Sequence, residues 1–354
     1  VRPPQLLAAM PWPCVLIVPS KRIGALNPAA EALFGKGLVG RPYALLRHPG
    51  LIAALDRSLQ DRQPRNVIYL RNDGFQDVSY TVSCRAILAE NSDRIDGILL
   101  SFEDMTHKER AEQIRRDFVA NVSHELRTPL TSLMGFIETL RGAAQDDATA
   151  RMRFLNIMQS EADRMNRLVA DLLSLSTVER EERVKPSQDV DLHALLSMVL
   201  RSLEPMAEAE HVVFETRFAP RRFTVKADAD QLRQVFANLL ENAIKYGGSG
   251  GRVEIVTASK VHDAAIRAPS VRVDVRDFGP GIGALHLPRL TERFYRADPS
   301  RSPTLGGTGL GLSIVKHILS RHRGQLKISS TEGQGATFTV ILPCEDDASD
   351  EASA

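Results

Sequence analysis

The chain has 354 residues, 43% of them apolar and 25% charged, enough for two or three globular domains with their own cores and unlike a disordered or fibrous protein. Lysine and arginine total 45 against 44 acidic residues, and with a formal net charge of +1 and no long basic run, nucleic acid is disfavoured as a direct partner. Three distant cysteines, Cys14, Cys84 and Cys344, form no CxxC and suggest neither a disulfide framework nor a zinc site, so a reducing cytoplasm fits.

No apolar run reaches the roughly 18 to 20 residues that span a bilayer. The most apolar N-terminal segment, "PWPCVLIVPS", is short and broken by prolines. The first residue is Val1 rather than methionine, which raises the expectation of an upstream part, a membrane anchor among the options.

Residues 11–103 read as a small mixed domain. "CVLIV" suits a buried strand, "NPAAEALFG" is a helical turn opened by Asn-Pro and closed by Gly35, and "NVIYL", "DVSYTVSCRAIL" and "DGILLSFED" read as an antiparallel meander. Residues 104–182 are strongly helical. Phe118, Val122, Leu126, Leu130, Leu133, Ile137 and Leu140 recur three and four apart as one apolar stripe, and His124 lies on the far side of it. A second helix over about 149–178 follows the polar turn "GAAQDDAT". Neither stripe can be buried by one hairpin, so two hairpins are expected to pair into a dimeric four-helix bundle.

"REERVKPSQDV" reads as a charged linker. Residues 189–343 alternate strands and helices, which predicts a mixed sheet covered by helices on one face. The acidic tail 344–354 is expected to be disordered.

Three stretches carry chemistry in the last domain. Asn238, Glu241, Asn242 and Lys245 share one helix face; their amide and carboxylate oxygens are hard ligands suited to Mg²⁺, and an ammonium one turn on can meet a phosphate. In "DFGPGIG", Asp277 ends a strand, where a buried carboxylate can accept from an exocyclic amine such as that of adenine, and Gly279, Gly281 and Gly283 allow a ligand close to the backbone. "GGTGLGLSIVKH" puts Gly306, Gly307, Gly309 and Gly311 at a helix start, a favourable place for a polyphosphate. It is neither a Walker loop nor a Rossmann fingerprint. Between them "ERFYRADPSRSPT" reads as a mobile lid with Arg296 and Arg301 in reach of phosphates. Taken singly, each stretch could equally be a polar helix face, a tight turn or a surface loop.

Their order and spacing resemble the sensor histidine kinases: "NVSHELRTPLTSL" the H box, "NLLENAIKYG" the N box, "DFGPGIG" the G1 box, "ERFYRAD" the F box and "GGTGLGLSIVKH" the G2 box. The resemblance covers about 103–343, extends through a PAS-like sensor domain to about 11, and is greatest to the phosphate-regulon sensor kinases. It implies an α+β multidomain protein: a PAS-like domain, a dimeric helical hairpin and a GHKL-type α/β sandwich that binds ATP. It also implies His124 as phosphoacceptor, Glu125 as its base or orienter, and Thr128 positioning water to dephosphorylate the partner. Asp277 would read adenine, Asn238 and Asn242 would meet phosphate and Mg²⁺, with Asn242 the metal ligand. Glu241, Lys245, Tyr246, Arg296 and the G1 and G2 residues, Thr308 and Leu310 included, would surround the triphosphate. Pro129 is expected to kink the helix after His124.

The implied partners are a second copy of the chain, a homodimer, and a response regulator whose receiver aspartate takes the phosphoryl group. Two rivals stay open at this point: a conformational ATPase of the Hsp90, gyrase and MutL type, using Glu241 to activate water, and an ATP-binding scaffold whose dominant activity is phosphatase. His48 and His317 read as surface or packing residues.

Overall fold

A computed structural model describes residues 3–72, 77–89, 94–142, 144–181, 184–297 and 307–344. The tail beyond Cys344, Arg301 and Gly306 lie outside these residues. The chain divides into two compact units, Val1–Val119 and Ala120–Ala354.

In the first unit, α1 (Pro3–Ala8) precedes β1 (Cys14–Val18), β2 (Arg22–Leu26), α2 (Pro28–Phe34), α3 (Pro49–Asp61), β3 (Arg65–Asn72), β4 (Asp77–Leu88) and β5 (Ile95–Asp104). The strands form one antiparallel sheet in the order β2-β1-β5-β4-β3. Alternation sends Val15, Ile17, Val82, Cys84, Leu100 and Phe102 to one face, where they pack with Leu51 and Leu55 of α3. Asn27 fixes the join between sheet and α2. Its buried Oδ1 accepts from the Ala30 and Cys14 amides, both at 2.9 Å, so one side chain caps the helix and holds the start of β1. Gly35, at φ 92°, closes α2 as "NPAAEALFG" predicts. His48 caps α3, its Nδ1 accepting from Leu51 N at 3.2 Å, a packing role as expected.

Long helices follow: α4 (Thr106–Arg141), which begins in the first unit, and α5 (Ala148–Glu181). α4 runs on through Pro129, whose missing N–H leaves the Glu125 carbonyl without its helical donor. The rings of Phe136 and Phe154 stack at 5.4 Å and tie the two helices together. Leu168, Leu175 and Val178 are buried, whereas Leu130, Met134, Ile137, Met152, Leu155 and Leu173 remain exposed on the chain.

The rest of the second unit comprises β6 (Gln188–Asp191), α6 (Leu192–Ala209), β7 (Val213–Arg217), β8 (Thr224–Ala227), α7 (Ala229–Gly247), β9 (Arg252–Asp263), β10 (Ala268–Asp277), α8 (Gly311–Arg321), β11 (Gln325–Ser330) and β12 (Ala336–Pro343). Its main sheet, β11-β12-β10-β9-β7, is antiparallel except for the parallel pair β7–β9, so it is mixed as expected. Leu232, Val235, Phe236, Leu239 and Leu240 of α7 are buried, as are Val253, Ile255, Val273, Val275 and Val340 of the sheet.

One boundary differs from the sequence reading. Residues 188–191, placed at the end of a linker, form β6 and pair with β8, after which Asp191 Oδ1 caps α6 by accepting from Ala194 N at 3.0 Å. In β6 only Val190 turns inward, too little alternation to mark a strand. Among the described residues no helix is long and apolar enough to cross a membrane.

Candidate functional site

On α4 the imidazole of His124 is exposed, as the stripe geometry predicts. Beside it opens a depression of about 380 Å³, lined also by Arg127, Thr128, Thr131 and Ser132. Thr128, one turn on, shares its face and donates its hydroxyl to the His124 carbonyl at 3.1 Å. One oxygen of the Glu125 carboxylate meets the Arg164 guanidinium of α5 at 2.9 Å. Pro129 is buried. This edge of α4 therefore presents an exposed histidine with open space, hydroxyls and the exposed Arg127 around it.

A second cluster forms where α7, the end of β10 and the start of α8 meet. Asp277 is 6% exposed, and its Oδ1 accepts from the amides of Gly279 (3.0 Å) and Ala336 (3.2 Å). Burial pushes its carboxyl above the usual range, opposed by these two bonds, by its own backbone amide and by the charge of Arg276. The close approach demands glycine. A Cβ on Gly247 would lie 2.3 Å from that of Asp277, and a Cβ on Gly279 would lie 2.7 Å from the Gly247 Cα. Gly281 adopts φ +73° with its Cβ position 2.2 Å from the Thr331 carbonyl oxygen, so the turn after Asp277 admits no side chain there.

The glycine-rich turn before α8 packs on the polar face of α7. The Cβ position of Gly311 lies 3.4 Å from Asn238 Oδ1, and that of Gly307 lies 2.8 Å from the Tyr246 hydroxyl. Gly309 has φ +72° and its carbonyl accepts from Phe294 N at 2.9 Å, joining the turn to the segment that carries Arg296. Leu310 is fully buried and anchors the turn. On α7, Lys245 pairs with Glu241 at 2.8 Å. Asn238 Nδ2 and the Nε and Nη2 of Arg296 are buried with no partner among the described residues. A buried guanidinium without an acceptor is expensive, and an incoming anion relieves that cost.

Sequence reasoning thus placed Asn238, Glu241, Asn242, Lys245, Tyr246, Asp277, Arg296 and the glycines, Gly283 included, on the elements where they occur. The structure brings most of them together. It also adds groups from α5 that spacing could not reveal. Thr308 donates to Asp171 Oδ2 at 2.7 Å, Arg293 and His317 both meet Glu179, the latter at 3.5 Å, and Ser174 donates to Gln234 at 2.8 Å. Arg321 ties the domain to the end of α5, bonding Glu181 at 3.1 Å, Asp228 at 3.3 Å and the Val184 carbonyl at 3.0 Å. Among the described residues no group of three or more His, Cys, Asp or Glu side chains could hold a metal ion, so any cation here would depend on ligand oxygens as well.

Comparison with known proteins accords with both clusters. Residues 114–181 match the His Kinase A (phospho-acceptor) domain, and residues 227–346 match the histidine kinase-, DNA gyrase B- and HSP90-like ATPase family. The chain is 42% identical over 317 residues to the phosphate regulon sensor protein PhoR of Pseudomonas aeruginosa, covering 88% of this chain and 68% of that one. It is 35% identical over 266 residues to the sensor histidine kinase WalK of Bacillus subtilis, covering 75% of this chain and 43% of that one. In fold it is similar to the histidine kinase ThkA, solved in complex with the response regulator protein TrrA, at TM-score 0.52 and 21% identity over 96% of this chain and 98% of that one.

A phospho-acceptor hairpin followed by an ATPase domain of this kind defines a protein-histidine kinase. The chain belongs to the sensor histidine kinases, and the similarity to PhoR agrees with the resemblance to phosphate-regulon sensors.

Proposed function

We propose that this chain phosphorylates itself on His124 from ATP and passes the phosphoryl group to an aspartate of a response regulator. One observation carries the reading: the exposed His124 with Thr128 one turn on, in a chain whose second cluster holds an arginine, Arg296, with two buried nitrogens that lack a partner among the described residues. The buried carboxylate of Asp277 accepts from the amine of adenine. Lys245, Tyr246 and Arg296 face the triphosphate, where positioning and charge neutralisation supply most of the catalysis. The oxygens of Asn242 and Glu241 lie on a half-exposed helix face, a fit for Mg²⁺, which takes one or two protein oxygens and completes its shell with phosphate and water. When bound, Mg²⁺ neutralises charge on the phosphate oxygens.

The pairing of Glu241 with Lys245 supports the kinase over the conformational ATPase, since a carboxylate held by an ammonium is a poor base for water. The exposed apolar residues of α4 and α5 support pairing of two hairpins in a homodimer. The sheet order β2-β1-β5-β4-β3 with its helices on one face supports a PAS-type sensor domain. An anchor beyond this chain would hold the kinase at a membrane, as the sequence reading expects.

Phosphotransfer is tested by adding a receiver domain to the labelled kinase and following the label. Label should leave the kinase and appear on the receiver aspartate. Thr128→Ala should leave both steps intact while slowing loss of phosphate from the regulator in the presence of the kinase. Retention of all label on the kinase would contradict the transfer, and an unchanged phosphatase rate would contradict the role of Thr128.

A further inference from the structure

Glu125 is the residue next to His124, yet neighbours on a helix are turned about 100° apart and do not face each other. What sets the direction of its carboxylate is α5. Arg164 Nη2 donates to Glu125 Oε2 at 2.9 Å, a contact made by one oxygen only, so Oε1 has no protein donor among the described residues. Arg164 is itself largely enclosed, its side chain 18% exposed, with Glu161 one turn away on α5 at 3.9 Å. The tether falls where the α4 ladder is weakest, because Pro129 supplies no N–H to the Glu125 carbonyl.

We propose that Arg164 is a positioning residue for histidine phosphorylation: it holds Oε2 of Glu125 so that Oε1 is presented to the ring N–H of His124. The proposal rests on the reading of Glu125 as the orienter of His124. In the transfer, the lone pair of one ring nitrogen forms the N–P bond, the bond from the γ-phosphorus to its bridging oxygen breaks, and ADP leaves with that electron pair. The proton on the other ring nitrogen is then shared with Oε1 as the ring gains positive charge. An arginine suits this task because its planar fork keeps the carboxylate in one orientation, which an ammonium does less well.

The test is a double-mutant cycle on the whole chain, using Glu125→Gln, Arg164→Met and the pair together, with Arg164→Lys as the conservative variant. Autophosphorylation kcat and the KM for ATP are measured, and nucleotide affinity confirms that each variant folds. Arg164→Met should lower kcat on the order of 10-fold with KM little changed, and Arg164→Lys should recover most of it. The double variant should be no slower than Glu125→Gln alone. Parental kcat in Arg164→Met, or losses that multiply in the double variant, would overturn the proposal while leaving the role of Glu125 in place. Parental kcat in Glu125→Gln would instead remove the reading of Glu125 on which the proposal rests.

Discussion

Thr308 of the glycine-rich turn before α8 donates its hydroxyl to the Asp171 carboxylate of α5 across 2.7 Å, so α5 reaches that turn directly. Burial pushes the Asp171 carboxyl above the usual range, and the charge of Glu241 adds to this, while the Thr308 bond, Arg167 and Lys245 oppose it. On the proposed function, a triphosphate bound at that turn would meet this negative charge and compete for the same hydroxyl.

Asp171→Asn keeps an acceptor for Thr308 and removes the charge. ATP should bind about 3- to 10-fold more tightly, on the order of 1 kcal/mol for one partly screened like-charge contact. The parent's affinity should rise as pH falls through the Asp171 titration, and the variant's should not. Calorimetric titration at several pH values checks both, and equal or weaker ATP binding by the variant would count against the competition.

Asp277 sets function against stability. Its folded pKa lies above the unfolded value, so its full contribution to stability is present below the unfolded pKa and is lost as pH rises through the folded pKa. Asp277→Asn should therefore be more stable than the parent at pH 7. The advantage should shrink in acid, and ATP affinity should fall sharply at every pH. Thermal unfolding across pH, with nucleotide titration alongside, reads both effects.

The two candidate clusters were largely legible in the sequence because their residues lie close together along the chain. Asn238 to Lys245 share a helix face, the glycines recur in two short stretches, and His124 lies opposite an apolar stripe. Arg164 and Asp171 were not legible. They meet Glu125 and Thr308 across 39 and 137 residues, and an arginine or aspartate on an amphipathic helix looks like any solvated position. β6 escaped for a different reason, since its single inward valine forms no pattern and its existence depends on β8. The ion pairs of Glu179 and Arg321 belong with Asp171: they are contacts of the folded unit, with no local signature.

His322 is an acid-sensitive joint in the ATP domain. The ring is 1% exposed, its Nδ1 2.7 Å from the Ile318 carbonyl and its Nε2 3.0 Å from Asp228 N, so Nδ1 donates and Nε2 accepts at the cap of α7. Burial lowers its pKa, with Arg321 lowering it further and the Ile318 bond and Asp228 opposing. Stability is thus full above the unfolded value near 6.5 and is lost as pH falls below it toward the folded pKa. His322→Leu should cost about 1 to 3 kcal/mol at pH 7 by leaving the Asp228 amide unpaired. It should also flatten the decline between pH 6.5 and 5, which denaturant unfolding at the two pH values measures.

Arg296 carries a guanidinium whose buried Nε and Nη2 have no acceptor among the described residues. Arg296→Met should leave the nucleotide-free protein as stable or more so, because an uncompensated buried cation is removed. ATP affinity should fall by roughly 10- to 100-fold, the scale of one or two charge-assisted bonds. Loss of thermal stability without loss of ATP affinity would assign Arg296 to packing instead.

The central claim is that His124 receives the γ-phosphoryl group of ATP. The most direct measurement is incubation of the protein and its His124→Gln variant with Mg²⁺ and γ-labelled ATP, followed by acid and alkali stability tests of the product and nucleotide binding by both proteins. The account predicts an acid-labile, alkali-stable label on the parent alone, with equal ATP affinity in the two. Label of the same kind on the variant, or no label on a parent that binds ATP, would contradict it.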